Sequence, residues 1–282
     1  MAGYHDFIRY SLSEGRTGRV SLKAPKVIGA AVSRGTRDYQ EDAHTVTAVH
    51  IPPAELRHSL VRYFGLNWDP GHIGETLAGQ VLFAGIYDGH GGNAVSGYLQ
   101  QQLHALFEQV DPSEVPELVS KLQGVGGYFK RFKGGALVDW IKPADPPRTL
   151  DLEARATLAF LAADKRISEL RESEQCGATA SFLSSLSLGR TWSSLILLSD
   201  GITSVLSDEE IVDLARQAPS PQRAAENVMS FAETIGLSDN ATVIVIPLAG
   251  WGDVRGPDLT RDLREYRRVQ AENSFREARS NR

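Results

Sequence analysis

Acidic residues gather where the apolar runs of this chain end, and that placement constrains what it can fold into more than any other feature. The β-branched runs Val27 to Ser33, Ala43 to Ile51, Val81 to Tyr87, Ser194 to Leu198 and Ala241 to Leu248 read as strands by composition and length. Four acidic clusters abut them: Arg37-Asp38-Tyr39-Gln40-Glu41-Asp42, Asp88-Gly89-His90-Gly91-Gly92, Asp200-Gly201 and Asp239-Asn240. An ionised carboxylate beside a buried strand is costly unless it is paired, hydrogen-bonded or bound to a cation. Taken singly, an Asp-Gly or Asp-Asn pair at a strand end reads as a turn. Together, one with a His and two glycines and another with an Arg four residues before a Glu, they point to convergence on metal. Oxygen-rich sites of this kind suit magnesium or manganese, and two such ions can clamp a water nucleophile and a phosphate.

Helical patterns lie between the strands: Asn93 to Val110 after the Gly91-Gly92 turn, Asp151 to Glu172, Asp208 to Gln217 with Ser207 as N-cap, and Gln222 to Gly236 after Pro221. Residues 27 to 51 read as two strands joined without a helix, which argues for a partly antiparallel sheet and against a doubly wound nucleotide fold. Ile51 to Gly79 and Gln123 to Arg148 read as loops, the second carrying Lys130, Arg131 and Lys133 as a solvated basic stretch. From Thr260 to Arg282 an Arg-rich run of mixed sign reads as an exposed helix.

Composition narrows the function classes. With 35 acidic and 30 basic residues the formal charge is −5, so no global positive field draws nucleic acid or anionic lipid, and neither partner is expected. Apolar stretches such as Leu158 to Ala163 fall well short of the roughly 20 residues of a membrane-spanning helix. The single cysteine, Cys176, excludes an intrachain disulfide framework, reads as a buried small residue, and fits a reducing, intracellular setting. The first residues have no continuous apolar core, and Asp6 and Glu14 weaken a transit-peptide reading, so a cytoplasmic or mitochondrial location stays open.

Side chains alternate in an extended segment, which would put Arg37, Tyr39 and Glu41 on one face and Asp42 on the other. Glu41 and Asp42 should then differ in role, one a direct ligand and the other a support for waters or for His90. Arg37 offers a planar fork for a phosphate, with a plain salt bridge as the alternative. Asp88 ends an apolar strand, and the glycines after it allow a main-chain carbonyl to approach an ion. His90 could donate a proton to a leaving alkoxide at neutral pH.

The stretches RGTRDYQEDAHTV, FAGIYDGHGG, CGATASF, LILLSDGITSVLSDEEIV and SDNATVIVI resemble, in order, the motifs of the metal-dependent serine/threonine protein phosphatases of type 2C, the PPM family. The stretch IPLAGWGD before the Arg-rich run is similar to a fungal branch with mitochondrial members. The resemblance implies an α+β fold, an antiparallel β-sandwich flanked by antiparallel helices in α/β/β/α layers, with two manganese or magnesium ions at one end. It implies Glu41, Asp88, Gly89, Asp200 and Asp239 as metal ligands, Asp88 bridging both ions and Gly89 acting through its carbonyl. Asp42 becomes the adjacent supporting carboxylate, Arg37 the phosphate clamp and His90 the general acid. The implied reaction is direct hydrolysis of phosphoserine or phosphothreonine in a protein by a metal-bridging hydroxide, without a phosphoenzyme. A cysteine-nucleophile phosphatase is excluded, because its loop needs Arg six positions after the Cys and Phe182 stands there. No G-x-S-x-G or H-E-x-x-H stretch supports a serine hydrolase or a zincin.

The family pattern holds several further strands, a flap and an additional acidic ligand between the G-A-T-A strand and the S-D-G strand. Here only Ser181 to Ser199 stand between Ala180 and Asp200. The expected organisation is an N-terminal extension (1–26), a phosphatase domain (27–249) shortened near 184–192, and a polar helical tail (250–282), as a monomer. The loss of central strands predicts exposed sheet edges and bare inner apolar faces. The competing function is a non-catalytic pseudophosphatase or interaction module that keeps a partial metal site.

Overall fold

A computed structural model describes residues 6–69, 74–125, 149–185, 192–254 and 256–280. The basic stretch at Lys130, Arg131 and Lys133, like most of the segment around it, lies outside the described residues. The fold is mixed α+β, built on small antiparallel sheets. One sheet has the order β4 (Ala43–His50), β5 (Gln80–His90), β6 (Gly177–Ser185). The other has the order β3 (Gly29–Ser33), β8 (Ala241–Pro247), β7 (Ser194–Leu198). A hairpin of β1 (Phe7–Ser11) and β2 (Thr17–Ser21) forms a third.

Alternation along the strands explains the stacking. Val46 and Ala48 of β4, Ala84 and Ile86 of β5, Leu195 and Leu197 of β7 and Ile244 and Ile246 of β8 share one cluster between the two larger sheets. The opposite face of the first sheet, with Val49, Val81, Phe83 and Tyr87, packs on helices α3 (Ala94–Glu108) and α5 (Leu152–Ile167). Stacked and edge contacts join Phe83, Phe107, Phe160 and Phe182 there, with ring centroids 4.7 to 5.7 Å apart. The outer face of the second sheet packs Val243 and Val245 against α7 (Asp208–Ala215) and α8 (Pro221–Thr234).

The helices start where their sequences say they should. Ser207 and Glu210 form a reciprocal capping box on α7, Ser220 caps α8 ahead of Pro221, and the Asp151 carboxylate accepts from the Ala154 amide to cap α5. Two glutamines extend the sheets without adding strands. Gln222 on α8 exchanges amide hydrogen bonds with Ala30 N and O on β3, at 3.1 and 2.9 Å. Gln80 does the same with Arg9 N and O, at 2.9 and 3.1 Å, and ties the hairpin to β5.

Several expectations need correction. Residues 51–79 are not all loop: α1 (Pro53–Phe64) begins at a proline, where the missing N–H costs nothing, and ends at Gly65 in the left-handed region. Further helical turns, α2 (Glu75–Ala78) and α4 (Val115–Val125), occupy segments given no helix by the periodicity. The 27–51 segment does hold two strands, but they belong to different sheets, and residues 34–42 are an irregular crossing between them. The N-terminal extension carries the β1–β2 hairpin, with Ile8 packed toward the inter-sheet cluster.

The Arg-rich tail is helical, α6 (Asp200–Thr203) and α7 lying before it and α9 (Arg261–Ser280) forming it, yet its first turns are anchored rather than free. Arg267 donates to both oxygens of the buried Glu210 at 2.8 and 2.6 Å and to Val205 O at 2.7 Å. Asp213 accepts from Leu259 N, Thr260 N, Thr260 Oγ1 and Arg216.

The site end of β6 carries hydroxyls on its inward face. Across from the inward residues Ile86 and Asp88 of β5 stand Ser181 and Thr179, both exposed, while Ala178, Ala180 and Phe182 turn outward onto the helices. A hydroxyl-bearing surface can meet water at little cost at that end of the strand.

Candidate metal centre

The predicted residues come from four segments that meet at one end of the stacked sheets. The 34–42 crossing supplies Arg37, Glu41 and Asp42; the end of β5 supplies Asp88, Gly89 and His90; α6 opens on Asp200 directly after β7; and Asp239 directly precedes Asn240 and β8. Glycines permit the convergence. A Cβ on Gly89 would lie 2.5 Å from Glu41 O, one on Gly201 would lie 2.0 Å from Asn240 O, and Gly35, at φ +58°, would put one 2.4 Å from Asp239 O.

Asn240 organises the crossing. Its Oδ1 accepts from Glu41 N at 2.7 Å, and its Nδ2 donates to Arg34 O and Tyr39 O, each at 3.1 Å. Ser96 on α3 donates to Glu41 O at 2.5 Å. Beneath this, the buried Asp42 accepts from Ser199 Oγ and Thr242 Oγ1, each at 2.8 Å, which locks the ends of β7 and β8 to the crossing. Ser199, Thr242 and Ser96 were not singled out from the sequence. Ser199 and Asn240 do stand inside the S-D-G and D-N stretches, and that adjacency was the available signal.

The electrostatics show which carboxylates are brought together. Asp88 is pushed up to about 7 by burial first, then by the negative charge of Asp42 and by the Asp200 side chain, against a smaller pull from the Asp200 backbone amide. Burial also raises Asp42; the Ser199 and Thr242 hydroxyls oppose the rise, and Asp200 and Asp239 add to it. Asp42, Asp88, Asp200 and Asp239 therefore feel one another. Glu41 is placed differently: its Oε1 accepts the Gly92 amide at 2.5 Å. Asp239 is held by Arg37 at 2.9 Å and by its neighbour's amide at 2.8 Å. Exposed His90 lies against Gly177, whose Cβ would fall 2.7 Å from its Nε2.

Among the described residues, no group of three or more His, Cys, Asp or Glu stands arranged to hold a metal ion. The contacts above give the reason: Glu41 faces Gly92, Asp239 faces Arg37, and Asp42 faces two hydroxyls. The donor set nonetheless fits a hard divalent cation. It is all oxygen, its negative charges repel one another, and Asp42 Oδ1 is buried with no hydrogen-bond partner among the described residues. Asp42 was expected only to support the site; the orphaned oxygen makes it a possible donor as well.

A family model described as Protein phosphatase 2C matches residues 180–241. Over 78 residues the chain is 46% identical to Protein phosphatase 2C homolog 4 of Schizosaccharomyces pombe, a match that covers 28% of this chain and 20% of that protein. Over 66 residues it is 33% identical to Protein phosphatase 1K, mitochondrial, of Xenopus laevis, covering 23% of this chain and 18% of that one. The matches thus span about a fifth of the length of these curated relatives. Among solved structures, a Caenorhabditis elegans sex-determining protein aligns with 87% of this chain and 68% of its own, at 14% identity and a TM-score of 0.46. A serine/threonine phosphatase from Staphylococcus aureus aligns with 86% and 100%, at 14% identity and a TM-score of 0.38. In its ordered motifs and over the segment these sequences share, the chain is similar to the protein phosphatase 2C family. No helix among the described residues is long and apolar enough to cross a membrane.

Proposed function

We propose that this chain is a metal-dependent protein phosphatase that hydrolyses phosphoserine and phosphothreonine, on a PPM-type sandwich with its central strands missing. The observation that carries the reading is the cluster of Asp42, Asp88, Asp200 and Asp239, mutually repelling and with no buried cationic side chain paired to them among the described residues. Glu41, Asp88, the Gly89 carbonyl, Asp200 and Asp239 would hold two manganese or magnesium ions. When bound, those ions supply an acidified water nucleophile and neutralise charge on the phosphoryl group.

The chain's own residues then divide the remaining work. Arg37 is exposed, and among the described residues its side chain need give up only its ion pair with Asp239 to clamp phosphoryl oxygens through its planar fork. His90, exposed at the end of β5, would protonate the departing serine or threonine oxygen. Asp42, with Ser199 and Thr242, positions the strand ends from below. A phosphoprotein is the substrate, the chain acts as a monomer, and a buried lone cysteine supports an intracellular setting, cytoplasmic or mitochondrial.

With manganese, purified protein should release phosphate from a phosphothreonine peptide and from p-nitrophenyl phosphate, and EDTA or Asp88→Ala should abolish it. Turnover that survives complete metal removal would refute the proposal. The unassembled state of the carboxylates favours a second reading, a pseudophosphatase that binds metal without turnover. Saturable manganese heats with no phosphate release would select it.

A further inference from the structure

The N-terminal hairpin has a charged face that the proposed reaction does not use. In its register Arg9 stands directly across from Arg19, with Phe7 across from Ser21 and Ser11 across from Thr17. Like charges directly opposite in an antiparallel pair repel. Both guanidinium groups nevertheless lie over the same ring, that of Phe7, with Arg9 Cζ 5.6 Å and Arg19 Cζ 4.7 Å from its centroid. Neither side chain has a carboxylate partner among the described residues, although the chain as a whole carries an excess of five acids. Both arginines are exposed. The main chain beneath them is fixed, because Arg9 N and O are both bound by the Gln80 amide. A cavity of about 150 Å³ lined by Phe7, Arg9, His50 and Gln80 opens at the foot of the hairpin.

We infer that Arg9 and Arg19 form a binding site for a phosphate group carried on an extended segment of a protein partner. Two arginines whose Cα atoms are held about 5 Å apart by cross-strand pairing, and whose guanidinium groups lie over one ring, suit one dianionic group with several acceptor oxygens. The hydroxyls of Ser11, Thr17 and Ser21 share that face and add donors around it. A membrane surface or a nucleic acid would call for a broad positive field, and a chain of net charge −5 lacks one. The role of this site, docking a substrate that carries a second phosphorylated residue, rests on the phosphatase reading, whereas the anion site itself does not.

The test uses the full chain in EDTA, so that turnover and metal play no part. Fluorescence anisotropy would compare a singly phosphorylated serine peptide with its unphosphorylated twin, against wild type, Arg9→Ala/Arg19→Ala and Arg9→Lys/Arg19→Lys. Wild type should prefer the phosphopeptide at least tenfold and release it to inorganic phosphate. The alanine pair should lose that preference. The lysine pair, which keeps charge and aliphatic stems over Phe7, should retain its thermal melt and bind at least threefold more weakly. Equal affinity for the two peptides, or variants that bind like wild type, would overturn the site. So would phosphatidylserine vesicles or a single-stranded oligonucleotide that bound more tightly than the phosphopeptide. Hydrolysis of p-nitrophenyl phosphate with manganese, run in parallel, should be the same in wild type and both variants. A silent hydrolysis assay with intact phosphopeptide binding would count against the phosphatase reading alone.

Discussion

Two groups of acids in this molecule are treated in opposite ways. On the helical side, Glu55 receives a two-pronged contact from Arg155, at 2.8 and 2.9 Å, and the same arginine reaches Phe107 O and Glu108 O, which joins α1, α3 and α5. At the tail, Arg267 answers Glu210, and Arg216 with the 259–260 amides answers Asp213. At the end of the sheets, the one ion pair among the described residues of Asp42, Asp88, Asp200 and Asp239 is that of Asp239 with the exposed Arg37. Structural acids bring a cation with them. The sheet-end acids leave a negative charge for something outside the chain to balance.

Each difference between these regions can be broken separately. The largest effect should come from Arg155→Ala, which strands the Glu55 carboxylate in the interior and should cost about 3–5 kcal/mol in a urea melt. Manganese sensitivity should survive in whatever folded protein remains. If Arg155→Ala were as stable as wild type, the claim that this pair is structural would fail.

Next comes the cation itself. Manganese at a hundred times its dissociation constant should raise the unfolding free energy by about 2.7 kcal/mol, seen as a higher melting temperature that EDTA reverses. Asp88→Asn relieves repulsion without metal, so that variant should melt no lower than wild type in EDTA and gain little from manganese.

Acid should act on the tail. Burial alone would raise Asp213, but hydrogen bonds from Arg216, Thr260 and Leu259 outweigh it and hold the carboxyl down to about 2. A folded value below the unfolded one, about 3.9, gives stability that is complete above pH 5 and fades as pH falls toward 2. The loss should be on the order of 2 kcal/mol, and Asp213→Asn should flatten that part of the pH profile. The smallest change is Ser199→Ala, which removes one of two donors to Asp42 and should cost about 1–2 kcal/mol, with manganese affinity changed more than stability.

Strands β3, β4, β5, β7 and β8, the capped helices α5, α7 and α8, and the acidic clusters were legible because each rests on local signals: β-branched runs, capping residues, and carboxylates at strand ends; β1, β2 and β6 have no such run. What could not be read was long-range. Nothing local says that the strands at 29–33 and 43–50 enter different sheets, because that depends on which partners their edges find, β8 for one and β5 for the other. Alternation along 37–42 was the wrong premise, since the crossing is irregular and Asn240, about two hundred residues away, sets its shape. Helix α1 was obscured by the polar, proline-rich look of its segment; it is held by Glu55 to Arg155 and by Ser59 Oγ accepting from Leu152 N, contacts between distant segments. The tail was readable as a helix but not as an anchored one, because Arg267 and Glu210 meet only in three dimensions.

Calorimetric titration of manganese into the full chain and into an Asp88→Asn, Asp200→Asn variant bears most directly on all of this. Saturable heat in wild type that disappears in the variant, with both proteins folded, is the expected result. Heats that are absent in wild type, or the same in both, would mean that the sheet-end acids do not collect a cation.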